Sequence, residues 1–211
     1  MPWLTTRRQV DPQYYLSLSQ QFQPRLEWLG PTLLVIDPGS GKEKDPGEGT
    51  GWSAWSIDKE IDQPVTCGCI HRVLHDWQEQ VFLVQYSLKQ IRQKLNARVV
   101  AVEQPMFFSA GRGLVAAKSG SLVKLSMLVG SILTVDPAVL LVPVTSWKGN
   151  RDKTATLVQV EAELGTKTMK KLLGNNRDKW NHNVIDSLGI GLWLKKNLRL
   201  VTDTEVVCSP G

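Results

Sequence analysis

Three carboxylates stand where apolar sequence ends. Asp37 closes the run Leu33-Leu34-Val35-Ile36, Glu103 closes Val99-Val100-Ala101-Val102, and Asp186 follows Val184-Ile185. Acids rarely keep such company unless they are paired or hold a cation, because an uncompensated charge is costly to bury. A fold for this chain must lead each acid to solvent or gather them around positive charge. Taken singly, each has an ordinary alternative. Asp before Pro-Gly opens turns, Glu at a strand end is commonly solvated, and Asp near a helix start suits the helix dipole. Convergence of all three would instead supply hard oxygen ligands for two divalent ions about 4 Å apart, as two-metal phosphodiester hydrolysis requires.

The apolar pattern around these acids predicts the elements. LLVID (33–37), stopped by Pro38-Gly39, reads as a buried strand. A Gly/Pro/charged loop follows, then GWSAWSI (51–57) and PVTCGCI (64–70) as a meander. Val81, Val84, Leu88, Ile91 and Leu95 mark a helix over 76–95. ARVVAVE (97–103) is a strand, 113–135 a long apolar helix, and AVLLVPV (138–144) another buried strand. TATLVQVEAEL (154–164) reads as a helix before a Lys/Asn-rich stretch. NVIDSLGIGLWLKK (183–196) is a final helix whose terminal lysines match its dipole. Three strands, then helix, strand, helix, strand and more helices imply an α/β domain with a mixed, helix-covered sheet. Residues 1–30 read as an N-terminal extension with a short helix, 31–197 as the domain, and 198–211 as a tail.

Composition narrows the class. A chain of 211 residues supports one good core. No apolar run reaches the roughly 18–20 residues that span a bilayer, and the start lacks the apolar stretch of a secretory signal. The expectation is a cytoplasmic protein, nucleoid-associated or viral in a bacterial host, with no membrane partner. Cys67, Cys69 and Cys208 are odd in number and form no CxxC pair, which argues against a disulfide framework or a zinc site. Cys67 and Cys69 share one face of a strand and read as small apolar residues beneath a helix. The net charge of +5 suits a polyanionic partner without demanding one.

In order, VIDPG…TGWSAW, VVAVEQP, WKGNRDKTATLVQV and NHNVIDSLGIGLWL resemble the RuvC-type Holliday-junction resolvases, over residues 33–196. The resemblance implies an RNase H-like fold, a five-stranded mixed sheet flanked by helices on both faces. It also implies a metal-dependent endonuclease that resolves four-way (Holliday) or branched DNA by paired nicking. Asp37, Glu103 and Asp186 would hold two Mg2+ ions, with Mn2+ as a substitute. Lys148 and Lys153 would face DNA phosphates, and helix 113–135 would form a homodimer through its small residues. Two departures stand out. The loop 38–50 is longer than the family's usual one. The family's fourth acidic or histidine position, three residues before the last Asp, is Asn183 here, with His182 beside it. Positions i−3 and i−4 share a helix face with Asp186, so either side chain can reach a metal or the attacking water. Phe107 and Phe108, just after Glu103-Gln104-Pro105-Met106, either wedge into DNA or pack beneath the following helix. Arg112, between two glycines, adds a charge that reaches phosphate. Three rival readings remain open: an actin- or sugar-kinase-like ATP-binding domain, suggested by DPG…GTG; a catalytically silent junction-binding protein, suggested by Asn183; and an RNase H or viral genome-packaging nuclease built on the same carboxylates.

Overall fold

Apolar runs build the central strands, and helical crossovers extend the sheet. A computed structural model describes residues 12–21, 30–39, 49–57, 63–106, 120–136 and 138–197. In chain order the elements are α1 (Pro12–Gln20), β1 (Thr32–Asp37), β2 (Gly49–Ser56), β3 (Pro64–His71), α2 (Trp77–Lys94) and β4 (Ala97–Gln104). There follow α3 (Ser121–Ile132), β5 (Val139–Pro143), α4 (Val144–Trp147), α5 (Lys153–Leu164), α6 (Thr166–Leu173), a 3-10 turn at Arg177–Lys179 and α7 (His182–Asn197). The sheet order is β3-β2-β1-β4-β5. The β1–β2 and β2–β3 pairs are antiparallel, and β1–β4 and β4–β5 are parallel. This is the RNase H-like arrangement expected from the motif order.

Alternation along the strands sends side chains to two cores. Leu34, Ile36, Val100 and Val102 pack with α2 and α3, whereas Leu33, Val35 and Ala101 pack with α5, α6 and α7. By the same alternation Asp37 and Glu103 fall on the α7 side. The parallel register sets Ile36 beside Val102, so both acids come one step later, at the same end of adjacent central strands.

The last helix is seated on β2 by small residues. Gly51, Ser53 and Trp55 point to one face of β2, and Asn183, Ser187 and Gly191 recur every four residues on α7. A β-carbon at Gly51 would lie 2.2 Å from the Asn183 carbonyl oxygen, and one at Gly191 would lie 2.1 Å from Trp55 Nε1. Between them Ser53 Oγ donates to the Ser187 carbonyl at 3.0 Å, and Trp55 Nε1 donates to Ser53 Oγ at 3.0 Å. Asn181 starts the helix: its side-chain oxygen accepts from the backbone amides of Asn183 and Val184.

Several expectations need correction. AVLLVPV is not a buried strand. β5 is an edge, with Leu140 and Leu141 39% and 44% exposed, because an apolar run does not distinguish edge from centre. Part of the Lys/Asn-rich stretch after 164 forms α6, with Met169 fully buried and Lys167, Lys170 and Lys171 exposed. The helix expected over 113–135 is described only as Ser121–Ile132, entered through Gly120 at φ 72°. Residues 113–119 lie outside the described residues, as does the tail 198–211. Cys67 does sit beneath a helix, its thiol 3.9 Å from the Leu172 carbonyl, and burial pushes it up to about 12. Within the N-terminal stretch, α1 packs on α2 and contributes Tyr15 to the core.

The close approach at Gly51 yields a test. Gly51→Ala is expected to push α7 off β2 and cost about 1–3 kcal/mol, the usual range for overpacking. Thermal melting against the wild type measures it.

Candidate functional site

Three elements deliver the three acids. Asp37 ends β1, Glu103 nears the end of β4, and Asp186 lies one turn into α7, between the docking residues Asn183 and Ser187. Asp37 is 6% exposed and Asp186 7%. Burial, then the charge of Glu103, then that of Asp186, holds the Asp37 carboxyl well above the usual carboxylate range; Lys148 and Lys153 pull it back. Burial and the neighbouring Asp186 push Glu103 up to about 7, opposed by Lys148 and by a hydrogen bond from Trp147. The three acids therefore feel one another across the fold, and each added negative charge raises the cost of the next.

A cation and a neutral N–H donor answer them from the segment after β5. Lys148 Nζ pairs with Asp186 Oδ2 at 2.6 Å, with both side chains almost enclosed. The preceding residue, Trp147, donates its indole N–H to Glu103 Oε2 at 2.9 Å. The resemblance implies that Lys148 faces phosphate; here it is held by a carboxylate. Trp147 was missed, although a Trp directly before that lysine in TSWKGN was the available signal. Lys153 is exposed at the start of α5, within electrostatic reach of Asp37.

Asn183 and His182 behave differently. The Asn183 amide donates to the Gly49 carbonyl at 2.5 Å, which ties α7 to the start of β2. His182 is exposed in the first turn of α7. Phe107, Phe108 and Arg112, and the loop residues 40–48, lie outside the described residues.

The acids offer only carboxylate oxygens, the hard donors Mg2+ takes, in a pocket of like charge that a divalent cation would relieve. As arranged, no group of three or more His, Cys, Asp or Glu among the described residues is set to hold a metal ion, and Asp186 faces Lys148. The donor chemistry fits a divalent ion, and with Lys148 on Oδ2 of Asp186 the other carboxylate oxygen, Oδ1, is the one that would meet it.

No protein-family model matches the chain, and no curated protein matches it in sequence. Solved structures do. The structure titled T. thermophilus RuvC in complex with Holliday junction substrate matches with a TM-score of 0.53 and 15% identity, covering 77% of this chain and 91% of that one. A second Thermus thermophilus RuvC structure gives 0.53, 16%, 77% and 92% in the same order. The yeast mitochondrial Holliday junction resolvase Ydc2 gives 0.46, 10%, 86% and 84%. This chain has the RNase H-like fold, and the particular version it resembles is that of RuvC.

The buried acids make stability depend on pH. Glu103 releases its proton at about 7, against 4.5 ordinarily, so the folded state holds that proton more tightly than the unfolded chain. The stabilising contribution is complete below about 4.5 and is lost as pH rises through about 7; Asp37 shifts in the same direction. In excess chelator the thermal midpoint is expected to fall across that window. Glu103→Gln should flatten the fall, as melting curves at stepped pH will record.

Proposed function

We propose that this chain is a metal-dependent, structure-selective endonuclease that resolves four-way (Holliday) or branched DNA junctions by paired nicking. One observation carries the reading. Asp37, Glu103 and Asp186 come from β1, β4 and α7 into mutual electrostatic reach, in a fold shared with RuvC. Asp37, Glu103 and Asp186 would hold two Mg2+ ions, or Mn2+ in their place, and such ions supply an activated water and charge stabilisation at the leaving 3′-oxygen. Lys148, once released from Asp186, and exposed Lys153 would meet DNA phosphates as point charges. The burial of Asp37 keeps bulk water from screening the acids, so they discriminate strongly in favour of a cation.

Paired cuts on a two-fold symmetric substrate call for a two-fold symmetric protein. A homodimer through the 113–135 region is supported by Val123 and Met127, apolar residues four apart on α3 that are 62% and 45% exposed. Among the described residues no helix is long and apolar enough to cross a membrane. A second reading, a junction-binding protein of weak activity, is favoured by the Lys148–Asp186 pair and by Asn183 at the position where the resembled family generally has an acid or histidine.

Cleavage of a labelled four-way junction, with duplex and RNA–DNA hybrid controls, tests the proposal. Asp37→Asn, Glu103→Gln and Asp186→Asn are each expected to abolish cutting and to leave junction binding largely intact, since these acids act through metal. Near-normal turnover in any one removes that residue from the site. Mg2+ or Mn2+ should support cutting, whereas Ca2+ should permit binding without turnover. Cutting that survives excess chelator sinks the mechanism, and binding without cutting by the wild type supports the second reading.

Asn183 separates a ligand from a tether. Asn183→Asp removes the donor to Gly49 and sets a carboxylate against a carbonyl. We expect a loss of about 1–3 kcal/mol in stability, with the Mg2+ concentration for half-maximal cutting unchanged. A lowered Mg2+ requirement would instead make Asn183 a weak metal ligand. A heavy loss in His182→Ala, with a rate that varies near pH ~6.5, would assign the water-orienting role to His182.

A further inference from the structure

Trp147 and Lys148 are consecutive, yet each holds a different carboxylate. The indole N–H of Trp147 reaches Glu103 on β4 at 2.9 Å, and the ammonium of Lys148 reaches Asp186 on α7 at 2.6 Å. The same ammonium lies 5.2 Å from the centre of the Trp147 ring, within cation–π range. Trp147 itself is 4% exposed and fixed on several sides. Arg151 donates to its carbonyl from the following turn. A β-carbon at Gly189 of α7 would stand 2.7 Å from ring atom Cζ3, so only glycine leaves room for the ring. Lys148 also receives a backbone bond from this short helix, its N–H donating to the Val144 carbonyl at 2.9 Å.

A buried indole N–H commonly finds an acceptor; here that acceptor is Glu103, a carboxylate on which the charges of Asp186 and Lys148 also act. A phenylalanine would fill most of the same space. The indole supplies what phenylalanine lacks, a single directional donor that fixes one Glu103 oxygen and leaves the other free. Its ring face supplies a second element, a surface that steadies the lysine opposite Asp186. We propose that Trp147 is a positioning residue for the carboxylate site: through its N–H it orients Glu103, and through its ring it orients Lys148. The proposal rests on the nuclease reading above, and it adds a residue outside the metal ligands and DNA-facing lysines assigned there. Groups that orient metal ligands from behind typically matter 10- to 100-fold in metal affinity or activity.

The test uses the full chain and Trp147→Phe, which keeps a ring and removes the donor. Mn2+ binding without DNA is measured by calorimetry, junction cutting is measured over a range of substrate concentrations, and thermal melting reports the fold. We expect Mn2+ affinity and kcat each to fall about tenfold or more. KM for the junction should stay within about twofold and the melting midpoint within a few degrees. Gly189→Ala, which crowds the ring without removing the N–H, should lower Mn2+ affinity in the same direction. A Trp147→Phe protein that matches the wild type in Mn2+ affinity and kcat overturns the proposal alone. A fall in melting midpoint that accounts for all the lost activity, with Mn2+ affinity kept, assigns Trp147 to packing and overturns it too. A wild type that neither binds Mn2+ nor cuts overturns the nuclease reading, and this proposal with it.

Discussion

The seating of α7 on β2 governs where the three acids meet. Gly51 admits the backbone of Asn183, Ser53 binds the Ser187 carbonyl, and Gly191 admits the ring of Trp55. These three contacts fix the helix in both rotation and translation, since small residues meet at a spacing of two on the strand and four on the helix. Asp186, lying between the first two docking residues, has no freedom to turn away. A slip of one residue along α7 would rotate it by about 100°, the angle per residue of a 3.6-fold helix, and swing Asp186 away from Asp37 and Glu103.

Burying three acids in one place raises an electrostatic cost that the fold partly offsets. Asp37 and Glu103 both hold their protons above the ordinary range, chiefly through burial and then through one another or Asp186. Lys148 neutralises Asp186, and Trp147 donates to Glu103, so two consecutive residues at the end of α4 answer acids on two different elements. Sites tuned this way are common where a protein must bind a cation or stabilise developing charge.

The likeness to RuvC at 15–16% identity extends over most of both chains. So low an identity leaves the side chains free to differ. Asn183, three residues before Asp186, gives its amide to the Gly49 carbonyl. An amide can donate and a carboxylate cannot, so this tether is open to Asn and closed to Asp. The helix α6, with Lys167, Lys170 and Lys171 exposed, packs on α5 and β3, where composition suggested only a polar stretch.

The sequence by itself determined the strands, the main helices and the three carboxylates. Each of those rests on local information: β-branched runs ended by turns, 3.6-residue periodicity, and an acid that breaks an apolar run. It did not determine that β5 is an edge, because an apolar run looks the same whether one neighbour or two will pair with it. Nor did it show α6, whose eight residues are basic enough to read as loop until Met169 and Leu172 find a core. The partners of the acids were the least legible. Trp147 and Lys148 reach Glu103 and Asp186 across 44 and 38 residues of chain, and Asn183 reaches Gly49 across 134. Contacts at such separations depend on sheet register and helix docking, quantities set by packing of the whole core and not by any segment alone.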